Sequence, residues 1–330
     1  MTAAPGTSVA NLGGPVDIRH PGADALAAAA DLAGRNHSRT AQIRASFMLR
    51  PTPEKASPLG RMLRGGRGGQ VRLKLDLSLM WLAAAPPHDA AYPSRAWATL
   101  LGLKDPAGLG ARRVNDALKW LEENKFLTIE QRPGLPNRVT LLMEDGSGQP
   151  YSVPGEHMKR LSAAGRARVG DVDFDRHRYV QLPPEFWTNG WMATLSAPAV
   201  AMYLILLNEK GASAASTGLW LSPKVAGERY GLSSDTRTSG FDELRRARLI
   251  DLRRQAVSSR VFDVVRYRNV HTLQPDQLKD KAALPNRPER PKPAAAKAQT
   301  EVADPAPAAD PIATKRKVKV KRARRDPDAS

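Results

Sequence analysis

The alternation of polar and apolar positions over residues 221–268 predicts two helices followed by two strands. Ser222 can cap the free amides at the start of a helix over Lys224–Tyr230, and Pro223 suits its first turn. Gly231 follows, and glycine readily takes the left-handed conformation in which many helices end. The pattern therefore predicts a short first helix with a sharp end.

A second helix follows at once and leads into two segments with strand character. Either Ser233 or Ser234 can cap this helix. The strand segments are rich in branched and aromatic residues and cover Leu249–Arg253 and Val261–Tyr267. Residues 254–260 between them are short enough for a hairpin loop.

The same order of elements recurs earlier in the chain, between residues 71 and 153. Apolar spacing predicts three helices and a hairpin with a Pro- and Gly-rich turn. The elements are a core helix over 71–82, a helix capped by Ser94 that runs to Leu101, a helix over Gly110–Asn124, and strands over Phe126–Ile129 and Val139–Leu142. The two halves therefore read as a structural repeat, and the turn before the third helix is longer in the first copy.

Several positions of the second copy also resemble the winged helix-turn-helix superfamily of bacterial regulators and plasmid replication initiators. The matching residues are Ala226, Gly231-Leu232-Ser233, Thr236, Phe241, Leu244 and Leu249-Ile250. The resemblance implies DNA binding more securely than any biological role, because one fold serves many functions. Arg237 departs from the family pattern, which usually has an apolar residue there.

The expected fold is mainly α, with two tandem winged-helix domains whose small β-hairpins form the wings, between disordered tails. An Ala-rich helix over Asp24–Leu32 interrupts the first tail, and the helix over Ser196–Asn208 is apolar nearly all round, so it belongs in a core or a homodimer interface. The predicted divisions are a largely disordered segment 1–70, a first domain 71–155, a polar linker 156–178, a second domain 179–275 and a disordered Pro/Ala-rich tail 276–330.

Charge points to an anionic partner. The chain has 51 Lys and Arg against 33 Asp and Glu, a formal net charge of +18, with no cysteine. Phosphate backbones are the usual partner of such an excess. No apolar run is long enough for a membrane span, and the start of the chain lacks the features of a signal peptide. We expect a cytoplasmic, nucleoid-associated protein that binds double-stranded DNA.

The third helix of the first copy carries the best candidates for reading bases. Arg112, Asn115 and Lys119 lie opposite its buried side, and Arg to guanine and Asn to adenine are common major-groove contacts. A solvated helix face is the alternative interpretation. The cations expected to contact phosphates are Arg113, Arg132 and Arg138.

The second copy has a less basic helix and a basic hairpin. Its helix carries the candidate contacts Thr236, Arg237, Thr238 and Ser239, but Asp235 and Asp242 share that face and repel phosphates. The basic residues expected on its wing are Arg253, Arg254 and Arg260. Either this copy contacts DNA through its wing or its helix faces a protein partner.

Two flexible basic stretches complete the candidates. Residues 61–69 place three arginines among glycines, as either a phosphate-contacting arm or a hinge. Near the C-terminus, eight basic side chains in eleven form either a non-specific DNA tether or a solubilising tail. They are Lys315, Arg316, Lys317, Lys319, Lys321, Arg322, Arg324 and Arg325.

Signs of enzymatic chemistry are weak. Asp171, Asp173, Asp175 and His177 alternate along the predicted extended linker and could hold a hard cation, but a solvated charge cluster explains them better. The remaining histidines are scattered, and no phosphate-binding loop or hydrolase motif is present. We expect a non-enzymatic protein with no metal, cofactor or small-molecule ligand. Its role is transcriptional regulation or, alternatively, replication initiation on a mobile element; a protein-interaction scaffold or a non-specific DNA-coating protein is the further alternative.

Overall fold

Half of the described chain is helical. The structure is a computed structural model that describes residues 17–35, 40–64, 68–165, 170–212, 218–257 and 267–287. It is a mixed α/β fold, about 51% helical, with small antiparallel sheets. The coarse expectation of helices with small hairpins is confirmed.

The elements are numbered in chain order. The helices are α1 (Ala23–Arg35), α2 (Ala45–Met48), α3 (Pro58–Leu63), α4 (Gly68–Leu82), α5 (Ser94–Leu100), α6 (Leu109–Glu123), α7 (Pro154–Ala163), α8 (Val172–His177), α9 (Glu185–Thr188), α10 (Trp191–Thr194), α11 (Ala197–Ala212), α12 (Pro223–Tyr230) and α13 (Ser234–Arg246). The strands are β1 (Ile18–Arg19), β2 (Ala41–Arg44), β3 (Asp89–Ala90), β4 (Leu127–Glu130), β5 (Arg138–Leu141), β6 (Tyr179–Leu182), β7 (Ile250–Ala256), β8 (Tyr267–Leu273) and β9 (Leu284–Pro285).

Residues 68–141, called the first segment below, run from α4 through β3, α5, α6 and β4 to β5. Strands β4 and β5 form an antiparallel hairpin, and β3 pairs with the outer side of β5. These helices and strands lie within a few residues of their predicted positions. The predicted cap at Ser94 is wrong: Pro93 is the N-cap, and Ser94 is the first helical residue.

Residues 197–273, called the second segment, repeat this order with α11, α12, α13, β7 and β8. Ser222 caps α12 and Ser233 caps α13 through their hydroxyl groups, and Gly231 ends α12 at a φ of 69°. Strand β7 continues to Ala256, beyond the predicted end at Arg253, and β8 begins at Tyr267, the last residue of the predicted second strand, and runs to Leu273. Most of the predicted strand, 261–266, lies outside the described residues.

The core is continuous between the two segments. Helix α11 is apolar on every side from Ala197 to Leu207, and its residues 199–206 are each at most 1% exposed. It packs against α13 so closely that a Cβ on Gly240 would lie 2.5 Å from Met202 Cγ, so only glycine fits there. Trp81 of α4 stacks on Trp187, with ring centroids 4.7 Å apart, and joins the first segment to the middle of the chain.

Residues 40–64 are folded and contribute β2, α2 and α3 to this core, so the prediction of a largely disordered segment 1–70 is wrong for them. Strand β2 pairs antiparallel with β6, and Ile43 and Phe47 are fully buried. Arg44 is also buried and donates two hydrogen bonds from Nη1 to the Glu144 carboxylate, at 2.7 and 2.9 Å. The predicted helix near the N-terminus is confirmed as α1, while residues 1–16 lie outside the described part of the chain.

The start of the predicted C-terminal tail is also folded. Residues Pro275–Lys279 form a 3-10 helix, and β9 pairs with β1 near the N-terminus. Leu278 and Leu284 are buried and hold this part of the chain against the core. The Pro-rich composition of the tail as a whole had predicted disorder here as well. The rest of that tail, from residue 288, lies outside the described residues.

The predicted polar linker 156–178 contains helices. Most of α7 falls within it, and α8 covers Val172–His177. The aspartates at 171 and 175 therefore do not alternate along an extended chain as predicted. Among the described residues no group of three or more carboxylate, histidine or cysteine side chains could hold a metal ion.

Candidate nucleic-acid interface

Helix α6 has a buried side and a polar side, as its apolar spacing predicts. Its buried residues are Gly110, Val114, Ala117, Leu118 and Leu121. The opposite side presents Arg112, Asn115 and Lys119, all exposed, together with Arg113 and Asp116. The structure therefore places the three predicted base-reading side chains on one open helix face.

A carboxylate fixes the start of α6. The side chain of Asp105 accepts hydrogen bonds from the backbone N–H of Leu109 at 2.9 Å and of Gly108 at 3.2 Å. A negative charge at a helix N-terminus is favourable because the free amides and the helix dipole point there. The long turn before α6 is thus bound to the start of the helix and helps to orient its exposed face. Because these two amides already donate to Asp105, they are not free to bind a phosphate.

Two of the exposed side chains have local partners. Ser94 Oγ donates to Asn115 Oδ1, so α5 helps to orient the amide that is predicted to read adenine. Lys119 Nζ lies 3.9 Å from the Glu123 carboxylate, and both side chains are more than half exposed. Exposed pairs of this kind contribute about 0–1 kcal/mol, so the Lys119 ammonium can readily leave the Glu123 carboxylate and bind another anion.

Two arginines of the first hairpin, Arg132 and Arg138, bind groups of the protein itself, which was not predicted from the sequence. Arg132 donates from Nε and Nη2 to the carbonyl oxygen of Pro136, at 3.1 and 2.7 Å, and so closes the hairpin turn. Arg138 lies 3.2 Å from Asp89 and 3.4 Å from Glu130 and bridges three strands. Both were predicted to contact phosphates; in the structure their side chains stabilise the hairpin.

Arg237 of the second segment also has a structural role. Its Nε and Nη2 donate to the carbonyl oxygen of Leu221, at 3.0 and 2.8 Å, and its guanidinium lies 5.0 Å from the centre of the Phe241 ring. Burial lowers the pKa of this guanidinium below its ordinary value. These contacts explain how an arginine can replace the apolar residue that the winged-helix pattern expects.

The rest of α13 offers few cationic groups to an anion. The hydroxyl of Thr236 is engaged with Ser233, whereas Thr238 and Ser239 are exposed. Asp242 pairs with Arg245 and with Arg246, each at 3.2 Å. The helix face of the second segment is therefore close to neutral, as the sequence indicated.

The second hairpin carries cations among exposed aromatic rings. Arg253 and Arg254 are exposed on neighbouring positions of β7, so they point to opposite faces of the hairpin. Arg268 on β8 lies 5.6 Å from the centre of the Trp220 ring, and Trp220 and Tyr267 are 52% and 65% exposed. Exposed rings beside guanidinium groups are typical of surfaces that contact single-stranded nucleic acids, and the guanidinium groups alone suit the phosphates of a duplex.

Some predicted contacts lie outside the described residues. They are Arg260 of the second hairpin, Arg67 of the Gly-rich stretch and the whole basic run 315–325. Among the described helices, none has the length and apolar character needed to cross a bilayer.

One histidine pair was missed from the sequence. The rings of His157 on α7 and His177 on α8 stack with centroids 3.8 Å apart. The two residues are far apart in sequence, so no local motif could have revealed the contact.

No protein-family model, curated protein or solved structure matches this chain.

Proposed function

We propose that this chain is a non-enzymatic, double-stranded DNA-binding protein whose two segments are winged helix-turn-helix modules. The observation that carries the proposal is the exposed face of α6 with Arg112, Asn115 and Lys119. An α-helix about 10–12 Å wide fits the major groove, which is about 12 Å wide. These are the side chains that discriminate guanine and adenine there.

The order and pairing of the elements support the assignment of two modules. Each segment runs helix, short extended stretch, helix, helix and hairpin. In the first, β3 pairs with β5, the last strand; in the second, Leu219 makes the equivalent bridge to His271 on β8. In both, the helix before the hairpin presents its polar side to solvent, as a recognition helix must.

The two modules would contribute differently. The first reads bases through α6. The second contacts phosphates through its hairpin, where Arg253 and Arg254 are exposed, because the face of α13 offers Asp235 and the paired Asp242 instead of open cations. Phosphate contacts position a protein on DNA and base contacts give sequence preference.

The mechanism is occupancy of a site at the nucleoid, with no covalent chemistry and no cofactor. Transcriptional regulation is the role we propose, acting by blocking or recruiting other proteins at the bound site. The exposed polar face of α6 favours DNA reading over a pure protein-interaction scaffold, because charged residues are depleted at the centre of protein interfaces.

The direct test is the double variant Arg112→Ala, Lys119→Ala. We expect its affinity for a selected duplex to fall at least tenfold, since each base contact of this kind is worth about 1–3 kcal/mol. Its affinity for an unrelated duplex should fall far less. Fluorescence anisotropy with both duplexes at several salt concentrations measures the two effects.

The matched control is Arg35→Ala, Lys279→Ala, which removes the same charges from exposed positions paired with Asp31 and Asp276. It should lower both affinities slightly and equally. Equal losses for the two double variants would refute the assignment of α6 as the reading helix.

A further inference from the structure

A basic cleft on the described part of the chain has no residue of α6 in its wall. Its volume is about 720 Å³, and its walls come from residues 46–64, the loop 145–147 and α8. No local motif in the sequence marks the cleft, because residues 46–64 and the loop 145–147 are far apart along the chain. Ligand pockets for small molecules span about 300–1,000 Å³, so the cleft has the right size for one.

Cations dominate the lining. Five basic side chains face one carboxylate, that of Asp145, which leaves a formal charge of +4. The basic residues are Arg50, Lys55, Arg61, Arg64 and Arg176. Gathering like charges around a concave space costs free energy, and an anion in that space recovers it.

These cations are largely uncommitted to carboxylates. Among the described residues, Lys55, Arg64 and Arg176 make no ion pair. One carboxylate oxygen of Asp145 accepts a hydrogen bond from the backbone N–H of Ser147, at 2.8 Å. The cleft therefore offers several open donors to an incoming anion.

The two half-buried guanidinium groups of the cleft, those of Arg50 and Arg61, are held in place. Arg61 lies 5.0 Å from the centre of the Phe126 ring and abuts the backbone of Gly146, where an added Cβ would collide with its Nη2. Arg50 donates from Nε to the carbonyl of Lys55 and from Nη1 to that of Gly227, both at 3.1 Å. Each guanidinium has five N–H donors, so both retain donors for a ligand, and their fixed positions reduce the entropy lost on binding.

An apolar part of the wall accompanies the cations. Leu49, Pro51, Pro58 and Val172 line the same cleft, and Val172 is 73% exposed. Simple phosphate would leave this surface uncovered, whereas the base of a nucleotide would cover it. Apolar surface beside a few convergent charged groups is the usual composition of a site for an organic anion.

A smaller cleft of about 340 Å³ shares Arg50 and Arg64 with the first. It is also lined by Ser233 and Thr236, at the start of α13. An anion bound between Arg50 and Arg64 would therefore sit beside the turn between α12 and α13.

We propose that the basic cleft binds a nucleoside di- or triphosphate, with its phosphates at Arg61, Arg64 and Arg176 and its base against Leu49 and Val172. The site does not depend on DNA binding by either segment. A guanidinium is suited to it because its planar donors match phosphate oxygens in pairs.

The test is isothermal titration of the full chain with ATP, GTP and adenosine. We expect both triphosphates to bind at least tenfold more tightly than the nucleoside. The double variant Arg64→Gln, Arg176→Gln changes two exposed side chains and should weaken the binding of the triphosphates at least tenfold. The control variant Arg35→Gln, Arg95→Gln removes two exposed arginines elsewhere and should leave binding unchanged.

Three results would overturn the proposal. They are the absence of triphosphate binding by the folded chain, equal binding by the cleft and control variants, and loss of duplex DNA affinity in the cleft variant without loss of nucleotide affinity. The last result would identify the cleft as a contact for the DNA backbone.

Discussion

Removing one partner of the buried Arg44–Glu144 pair should destabilise the fold strongly. Both side chains are 0% exposed, and the Arg44 guanidinium also donates from Nη2 to the Ser152 carbonyl at 2.6 Å. Arg44→Met would leave the Glu144 carboxylate buried with its counter-charge gone. Breaking a buried pair in this way costs about 3–5 kcal/mol, which is a large part of the stability of an ordinary domain.

The double variant Arg44→Met, Glu144→Leu should recover much of that loss. Two apolar side chains leave no buried charge, and replacing a buried pair by apolar residues is often close to neutral. Urea unfolding followed by circular dichroism gives the free energy of unfolding for the two single variants, the double variant and the wild type. The cycle isolates the interaction between the two side chains.

The pH dependence of the stability of Arg44→Met tests the same ion pair in a second way. Burial raises the pKa of Glu144, and Arg44 opposes that rise. Without Arg44 the pKa of Glu144 in the folded state rises further above that in the unfolded state. The penalty is therefore small at acidic pH, grows as pH rises above the unfolded pKa, and levels off once pH passes the folded pKa. The deficit of the variant should therefore shrink between pH 7 and pH 5. A loss below about 1 kcal/mol at pH 7, or a double variant less stable than either single one, would refute the reasoning.

Three other predictions concern a buried amine, a buried imidazole and the C-terminal run. Burial lowers the pKa of Lys74 to about 7, so the free energy of unfolding of the wild type should increase as pH rises from 7 to 10. In urea unfolding, Lys74→Met should be about 2 kcal/mol more stable than the wild type at pH 7, and its stability should not increase with pH in this way. Burial and two nearby guanidinium groups lower the pKa of His271 to about 4, so the wild type should lose stability as pH falls from 6.5 to 4. Thermal unfolding of His271→Phe over the same pH range should show a loss of stability about 2 kcal/mol smaller than that of the wild type. Deleting residues 312–330 should flatten the salt dependence of DNA affinity and leave selectivity intact, which anisotropy with specific and unrelated duplexes would check. Unchanged pH profiles in either point variant, or loss of selectivity on deletion, would contradict these expectations.

The sequence predicts the local elements well because their signals are local. The hydroxyl of Ser222 caps α12, and Gly231 ends it with a positive φ, as the residue types indicate. The buried side of α6 follows from apolar spacing alone, and so does the polar side opposite it. Candidate readers on α6 could be named for the same reason.

The sequence fails where a side chain meets a distant partner. Strand β2 has only four residues, and its partner β6 lies more than a hundred residues away, so nothing nearby marks it as part of the core. An arginine is expected to be an exposed charge from the sequence alone, yet Arg138 pairs with Asp89 and Arg237 donates to the carbonyl oxygen of Leu221, partners that the folded chain brings near. The basic cleft was missed for the same reason, since Arg61 and Asp145 meet there across the fold.

The measurement that tests the central proposal most directly is selection of bound sequences from a random duplex library, at moderate salt and with non-specific competitor. The proposal predicts enrichment of a defined motif, and the Arg112→Ala, Lys119→Ala variant should fail to enrich it. Positions of that motif in the genome would then separate a regulator, which binds at promoters, from a replication initiator, which binds repeated sites near an origin. No enrichment by the folded wild-type chain would contradict the proposal that α6 reads DNA sequence.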